Sequence, residues 1–260
     1  MNIEKKNELA IYLYCFTLPT SSSLAILGVD DEHIISNYSC GGINAVISLV
    51  ALADFTGETG EINLQNIAWL SSRACRHALI INKMLEQGSV YPLSFGTLFS
   101  NVIALEQQMY QRAEDVLNVL HRIGGCQEWS LEATLDRRQA VDALMAEGLE
   151  SGQICLPEAA GRRHLEEQKI RRNFTANLNN WLIERLDDLQ NELRPLSLDF
   201  CPRRITDDKV LHWAYLLPIE KVTDFEQKVM AITSHYDVFG FKFRVTGPWA
   251  AYSFCRPVES

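Results

Sequence analysis

The chain has 260 residues and a mass of 29.5 kDa, is 47% hydrophobic and 22% charged, and carries a formal net charge of -9. That length accommodates one large or two small domains with a sizeable core, and that composition excludes disorder, collagen-like repeats and low complexity. An acidic chain repels phosphates, so nucleic acid or an anionic membrane as the main partner would need a local basic patch.

Residues 8–16 alternate Leu9, Ile11, Leu13 and Cys15 with Ala10, Tyr12, Tyr14 and Phe16, which predicts a first strand apolar on both faces. Pro19 and the polar residues 20–23 end it. Lys5 and Lys6 ahead of this stretch faintly resemble a secretion signal, but Glu8 and the lack of a small-residue cleavage site argue against one. Residues 33–53, rich in Ile and Val and interrupted by Gly41-Gly42, predict two strands joined at a glycine turn or by a longer loop.

A helix is expected from Leu64 to Gln87, capped by Asn63 and ended at Gly88, with Ile67, Leu70, Ala74, Ala78, Ile81 and Leu85 on its buried stripe. A short strand over residues 90–95 follows. After Gly96 a second helix is expected, with Thr97 as its cap and Leu98, Val102, Leu105, Met109, Val116 and Leu120 buried, closed by Gly124-Gly125. Trp129, Leu131, Ala133 and Leu135 then alternate with Ser130, Glu132 and Thr134, a strand with one wet face.

A short helix from Asp136 to Gly148, a break at Ser151-Gly152 and Pro157, and a long helix over 158–194 are expected. The long helix places Phe174, Leu178, Leu182, Leu186, Leu189 and Leu193 three and four apart, and stops at Pro195. Leu211, Trp213, Tyr215 and Leu217 mark another strand. Thr223-Asp224-Phe225-Glu226 has the form of a capping box opening a helix with Phe225, Val229 and Ile232 buried. Phe239, Phe241, Phe243 and Val245 alternate along a final strand. Helices mixed with antiparallel strands give an α+β fold in two domains, 1–136 and 137–260, the second carrying the long helix.

Motifs for chemistry are absent from the sequence. The glycines never fall at phosphate-loop spacings, there is no G-x-S-x-G, and no two histidines flank a glutamate four apart. Seven cysteines (15, 40, 75, 126, 155, 201 and 255), no two closer than 25 residues, fit reduced buried thiols in a cytoplasmic protein better than disulfides or a zinc site. Asp30-Asp31-Glu32, Asp187-Asp188 and Asp207-Asp208 lack the alternating loop spacing of a hard-cation site and read as solvated turns or helix faces. The basic run Arg162-Arg163-His164, Lys169, Arg171 and Arg172 is interleaved with Glu166 and Glu167, which favours a salt-bridged helix face over nucleic-acid binding. The tryptophans 69, 129, 181, 213 and 249 read as core. No catalytic, cofactor-binding or metal-ligating residue is assigned, and no cofactor is expected. A thiol- or histidine-dependent hydrolase on an α+β fold remains the competing reading, and a nucleic-acid-binding sheet the third.

The segment Val245-Thr246-Gly247-Pro248-Trp249-Ala250-Ala251-Tyr252-Ser253-Phe254 resembles the closing signature of the gas vesicle protein F/L family. Tyr91-Pro92-Leu93-Ser94-Phe95-Gly96-Thr97-Leu98-Phe99 resembles that family's P-L-R-F-G-T motif. Tyr12 and Tyr14 in the opening strand, residues 125–129 and the strand 211–217 followed by Phe225 fall in the family's order. Ser94 stands where the family usually has Arg, which removes a bidentate fork, and Ala250-Ala251 where it often has Pro-Pro. These residue types suit packing: Gly96 and Gly247 in tight turns, and Trp249, Tyr252 and Phe254 pinning the tail to the core.

The resemblance implies two α+β domains of ferredoxin-like character and a non-enzymatic accessory role in gas vesicle assembly, in the gas vesicle and cytoplasm. The implied partners are the hydrophobic shell subunit, kept from aggregating during nucleation, and other gas vesicle accessory proteins. Residues 1–60 carry -5, two Lys against seven acidic residues, and this N-terminal domain is the preferred docking surface.

Overall fold

The computed structural model describes residues 8–19, 24–206 and 208–255. The chain divides into two compact units, residues 1–127 with 249–260 and residues 128–248. Lys5, Lys6, residues 20–23 and Asp207, for which the sequence gives expectations, lie outside the described residues.

The first unit is built around β1 (Leu9–Thr17), which is buried from Ala10 onward as an apolar strand covered on both faces must be. With β2 (Ser36–Cys40), β3 (Ile43–Ala51) and β4 (Val90–Pro92) it forms an antiparallel sheet in the order β2-β3-β1-β4, and β5 (Leu98–Phe99) also pairs with β1. Gly41 and Gly42, at φ 61° and 83°, make the two-residue turn between β2 and β3. Two helices cover the sheet. α1 (Gly57–Gln65) leads to α2 (Ile67–Leu85), whose Ile80, Ile81 and Met84 pack on Ala10, Tyr12, Tyr14, Val46 and Val50. α3 (Val102–Arg122) lies on the other face, with Tyr110, Ala113 and Leu117 against the Gly41-Gly42 turn and Arg112 over Tyr91. The β1–β3 register slips between Leu13 and Cys15, so Tyr14 and Cys15 both join the α2 cluster and Phe16 turns away to meet Tyr91.

Three expectations shift here. The helix placed from Leu64 is two helices separated by Asn66, which is extended and accepts from Ala68 N–H and Trp69 N–H at 3.1 and 3.2 Å. Asn63 instead donates to the Asp54 carbonyl. The buried face of α2 is His77, Ile80, Ile81 and Met84, whereas Ile67, the first residue of the helix after its Asn66 cap, is 81% exposed. In the second helix Asn101, not Thr97, is the cap: β5 intervenes, and Thr97 donates its hydroxyl to the Ser94 carbonyl at 2.7 Å. Leu105, Met109, Val116 and Leu120 are buried as expected, while Leu98 belongs to β5 and Val102 is largely exposed.

The second unit contains β6 (Cys126–Leu135), α4 (Arg137–Glu150), α5 (Ala160–Leu193), β7 (Asp199–Pro202), β8 (Lys209–Pro218), α6 (Val222–Tyr236) and β9 (Phe241–Trp249). Its antiparallel sheet has the order β7-β8-β6-β9, a ferredoxin-like arrangement whose first crossover holds two helices. The sheet of the first unit has the same strand order, with no helix between its first two strands among the described residues. Trp129, Leu131, Leu211, Tyr215, Leu217 and Phe241 form the sheet side of the second core, against Leu182, Leu189 and Leu193 of α5 and Phe225, Val229 and Ile232 of α6.

No capping box forms at α6. The short turn Ile219–Lys221 runs directly into the helix, so Thr223 never takes the extended conformation a cap needs, and Asp224 pairs with Lys221 at 3.2 Å. The expected wet face of β6 is instead paired and covered. Glu128 and Ser130 are buried, Glu128 binds Arg203, and Glu132 binds Lys209 at 3.1 Å and Arg244 at 2.5 Å. Burial raises the Glu132 carboxyl, but the Arg244 and Lys209 hydrogen bonds outweigh it and hold the group below the usual carboxylate range. Phe239 precedes the last strand in a short turn. In the tail Phe254 is buried, whereas Trp249 and Tyr252 are 43% and 38% exposed, so the anchoring expected of all three falls chiefly to Phe254.

Candidate functional site

The polar groups buried in the first unit form two connected clusters on β1. Tyr12 is fully buried, with its hydroxyl 3.0 Å from His77 Nδ1 and 3.0 Å from the Gly96 N–H. His77 Nε2 lies 3.2 Å from the Leu93 carbonyl, which can only accept. The network therefore assigns the proton to Nε2: His77 donates to Leu93, Tyr12 donates to Nδ1, and Gly96 N–H donates to Tyr12. Burial pushes His77 down to about 4, against the opposing Leu93 hydrogen bond, and pushes Tyr12 well above the ordinary tyrosine range. Two backbone bonds, Leu93 N–H to the Tyr14 carbonyl and Leu13 N–H to the Thr97 carbonyl, both 2.9 Å, complete the attachment of residues 93–97 to β1.

Tyr14 does the same for the chain before β2. Its hydroxyl accepts from Val29 N–H at 2.9 Å and shares a proton with Ser48 Oγ at 2.8 Å, and burial pushes it up to about 12. A Cβ on Gly28 would stand 2.5 Å from Ser48 Oγ and 2.8 Å from the Tyr14 hydroxyl, so only glycine permits this approach. The next residues make an Asx turn. Asp30 Oδ1 accepts from Glu32 and His33 N–H, both at 3.1 Å, and Oδ2 lies 2.6 Å from His33 Nδ1. Asp30, Glu32 and His33 bring ligand-type atoms within 4.8 Å of one another, but the Asp30 oxygens already hold three hydrogen bonds, which is the chemistry of a turn.

These clusters position backbone; they do not assemble a nucleophile. Cys15 is fully buried and burial pushes its thiol far up, away from the thiolate, while His77 is neutral with both ring nitrogens in use. All seven cysteines are free thiols. On the basic run, Arg163 pairs with Glu167 at 3.1 Å, Lys169 with Glu166 at 3.4 Å and Arg171 with Asp142. Trp129, Trp181 and Trp213 belong to the second core, and Trp69 stacks under Arg73. None of the tyrosine–histidine contacts is visible in local sequence, because the partners lie 65 residues apart. The available signal was a histidine in the middle of an apolar helix and two tyrosines on an apolar strand.

The surface of this unit has one strong compositional feature. Residues 8–72 contain seven acidic side chains and no Lys or Arg. Among the described residues no helix is long and apolar enough to cross a membrane.

The whole chain compares closely with proteins of one kind. No curated protein sequence matches it. The crystal structure of the gas vesicle protein GvpF from Anabaena sp. PCC7120 superposes with a TM-score of 0.72 at 18% identity, covering 96% of this chain and 98% of that one. The crystal structure of GvpF from Microcystis aeruginosa gives 0.69 at 19% identity, covering 95% and 99%. Those likenesses establish the fold, and the sequence itself matches the model of the gas vesicle synthesis protein GvpL/GvpF family over residues 10–256. The match spans both units, from the β1 tyrosines to the buried Phe254, and the chain belongs to the GvpL/GvpF family.

Proposed function

We propose that this chain is a non-catalytic assembly factor of gas vesicles, binding the hydrophobic shell subunit and limiting its aggregation while a vesicle nucleates. The family match over residues 10–256 carries this reading. The physics supports it: a subunit that builds a water-excluding wall exposes apolar faces and strand edges before assembly, and a folded partner that covers them keeps the subunit in solution. The buried Tyr12–His77 and Tyr14–Ser48 clusters are consistent with a rigid scaffold whose surface does the work. The unit of residues 1–127 and 249–260 is the preferred docking side, because residues 8–72 carry seven acidic side chains and no Lys or Arg of their own, Asp31 alone being paired with Arg76 among the ion pairs described.

Co-expression of the tagged chain with the shell subunit tests this. The subunit is expected in the soluble fraction and retained with the chain on affinity capture. Its recovery only in the pellet, with none retained, rejects direct chaperoning.

A further inference from the structure

On the α3 side of the first sheet, the register sets Leu49, Ile11 and Phe99 in one row across three strands. Leu9 lies two residues further along β1 on the same face, and Ile34 stands two residues before Ser36, whose partner is Ile47. The row runs Leu49, Ile11, Phe99, with Leu9 at its end; Ile34, bridged to Leu27, alternates with Ile35 of the α2 cluster and so belongs to this same face just before β2. α3 covers the opposite end of this face, where Ala113 and Leu117 meet the Gly41-Gly42 turn, and Tyr38 binds Glu106 midway. Ile103 lies one turn before Glu106 on α3, on the side away from the Gly41-Gly42 turn. There the apolar side chains are unusually bare: Ile103 66%, Ile34 61%, Leu9 44% and Leu49 41% exposed.

Leu9 also lines a cleft of about 470 Å³ together with Ala51, Asp30, Glu32, His33, Asp54 and Arg73. Asp30 is committed to its turn, and the Arg73 guanidinium lies 4.1 Å over Trp69. The carboxylates of Glu32 and Asp54 have no ion-pair partner among the described residues. An exposed apolar row thus ends at a cleft with three carboxylates, two of them outside any ion pair among the described residues, against one arginine that is turned onto Trp69.

We propose that this is a two-part docking surface for an amphipathic segment of the shell subunit. The apolar face of the segment lies on Leu9, Ile34, Leu49 and Ile103, and a Lys or Arg of the segment enters the cleft between Glu32 and Asp54. The charge sign selects the occupant, since a segment flanked by carboxylates is repelled here and one flanked by cations is drawn in. The assignment rests on the shell-subunit reading above and deepens it by naming the surface and the partner's chemistry.

The test uses the full tagged chain co-expressed with the gas vesicle shell subunit, with the retained subunit quantified per chain. The double variant Ile34→Asp/Leu49→Asp and the charge-reversed Glu32→Lys/Asp54→Lys are each expected to retain about tenfold less subunit than wild type. Met230→Asp, a change at a 70% exposed site on α6, should retain the wild-type amount. Far-UV circular dichroism and a melting temperature within about 2 °C of wild type establish that each variant is folded. Ile34→Asp alone, at the more exposed of the two row positions, stands in if the double variant is not. Wild-type retention with undiminished retention by both doubles, or by Ile34→Asp and the charge-reversed pair, overturns the docking surface and leaves the shell-subunit reading standing. No retention by the wild type overturns both.

Discussion

Tyr12 spends one hydroxyl on three segments of chain: it donates to His77 on α2, accepts from Gly96, and is itself carried by the central strand. Tyr12→Phe leaves a buried imidazole nitrogen and a backbone N–H without partners, and is expected to lower the unfolding free energy by about 2 kcal/mol in urea titration at pH 7. Tyr38→Phe, which loses a hydrogen bond at a half-exposed site, should cost well under half of that. The same cluster sets a pH dependence. His77 stays neutral in the folded chain down to about pH 4 but protonates near 6.5 when unfolded, so the unfolded state binds the extra proton between those values. Stability from this group is fully present above 6.5 and falls as the pH drops toward 4, by up to about 3 kcal/mol. Urea midpoints at pH 7, 5.5 and 4.5 should show that fall in wild type and a shallower one in His77→Phe; equal slopes would contradict the network.

At the scale of elements, α5 separates what periodicity reveals from what it does not. Leu178, Leu182, Leu189 and Leu193 are buried, whereas Leu165 near its start is 70% exposed. Leu189→Ala should therefore destabilise by about 3 kcal/mol and Leu165→Ala by close to zero, read as shifts in the denaturation midpoint. Both ends of this helix were legible, since the leucine spacing is regular and Pro195 ends the pattern.

The caps were not legible. Asn63 and Asn66, or Thr97 and Asn101, stand within four residues of each other, and the choice is made by tertiary pairing. β5 bonds to β1 and delays α3 to Asn101, and the extended backbone at Asn66 starts α2 afresh. The face of α2 was misjudged because a buried histidine counts as polar until its partners, Tyr12 and Leu93, are known. The polar side of β6 was misjudged for the same reason, since Arg203 is 75 residues from Glu128.

For the whole molecule, two sheets of the same strand order carry cores built by different helices, and the family-like motifs supply close contacts inside each unit. Gly96, at φ 81°, donates its N–H to the Tyr12 hydroxyl, and a Cβ on Gly247 would stand 2.7 Å from the Trp129 ring. Family membership was thus readable from packing residues, while the candidate docking surface was not. Leu9, Ile34, Leu49 and Ile103 are apolar residues like any others in sequence, and only register and the incomplete cover of α3 leave them bare together.

As an assembly factor of the kind proposed, this chain would hold the shell subunit in solution by binding it. The most direct measurement dilutes the denatured shell subunit into buffer containing increasing amounts of the purified chain and follows the subunit between pellet and supernatant by sedimentation. The subunit is expected to move to the supernatant and saturate near a fixed stoichiometry, co-sedimenting with the chain as one complex. A subunit that pellets at every ratio, with the chain left behind, would contradict it.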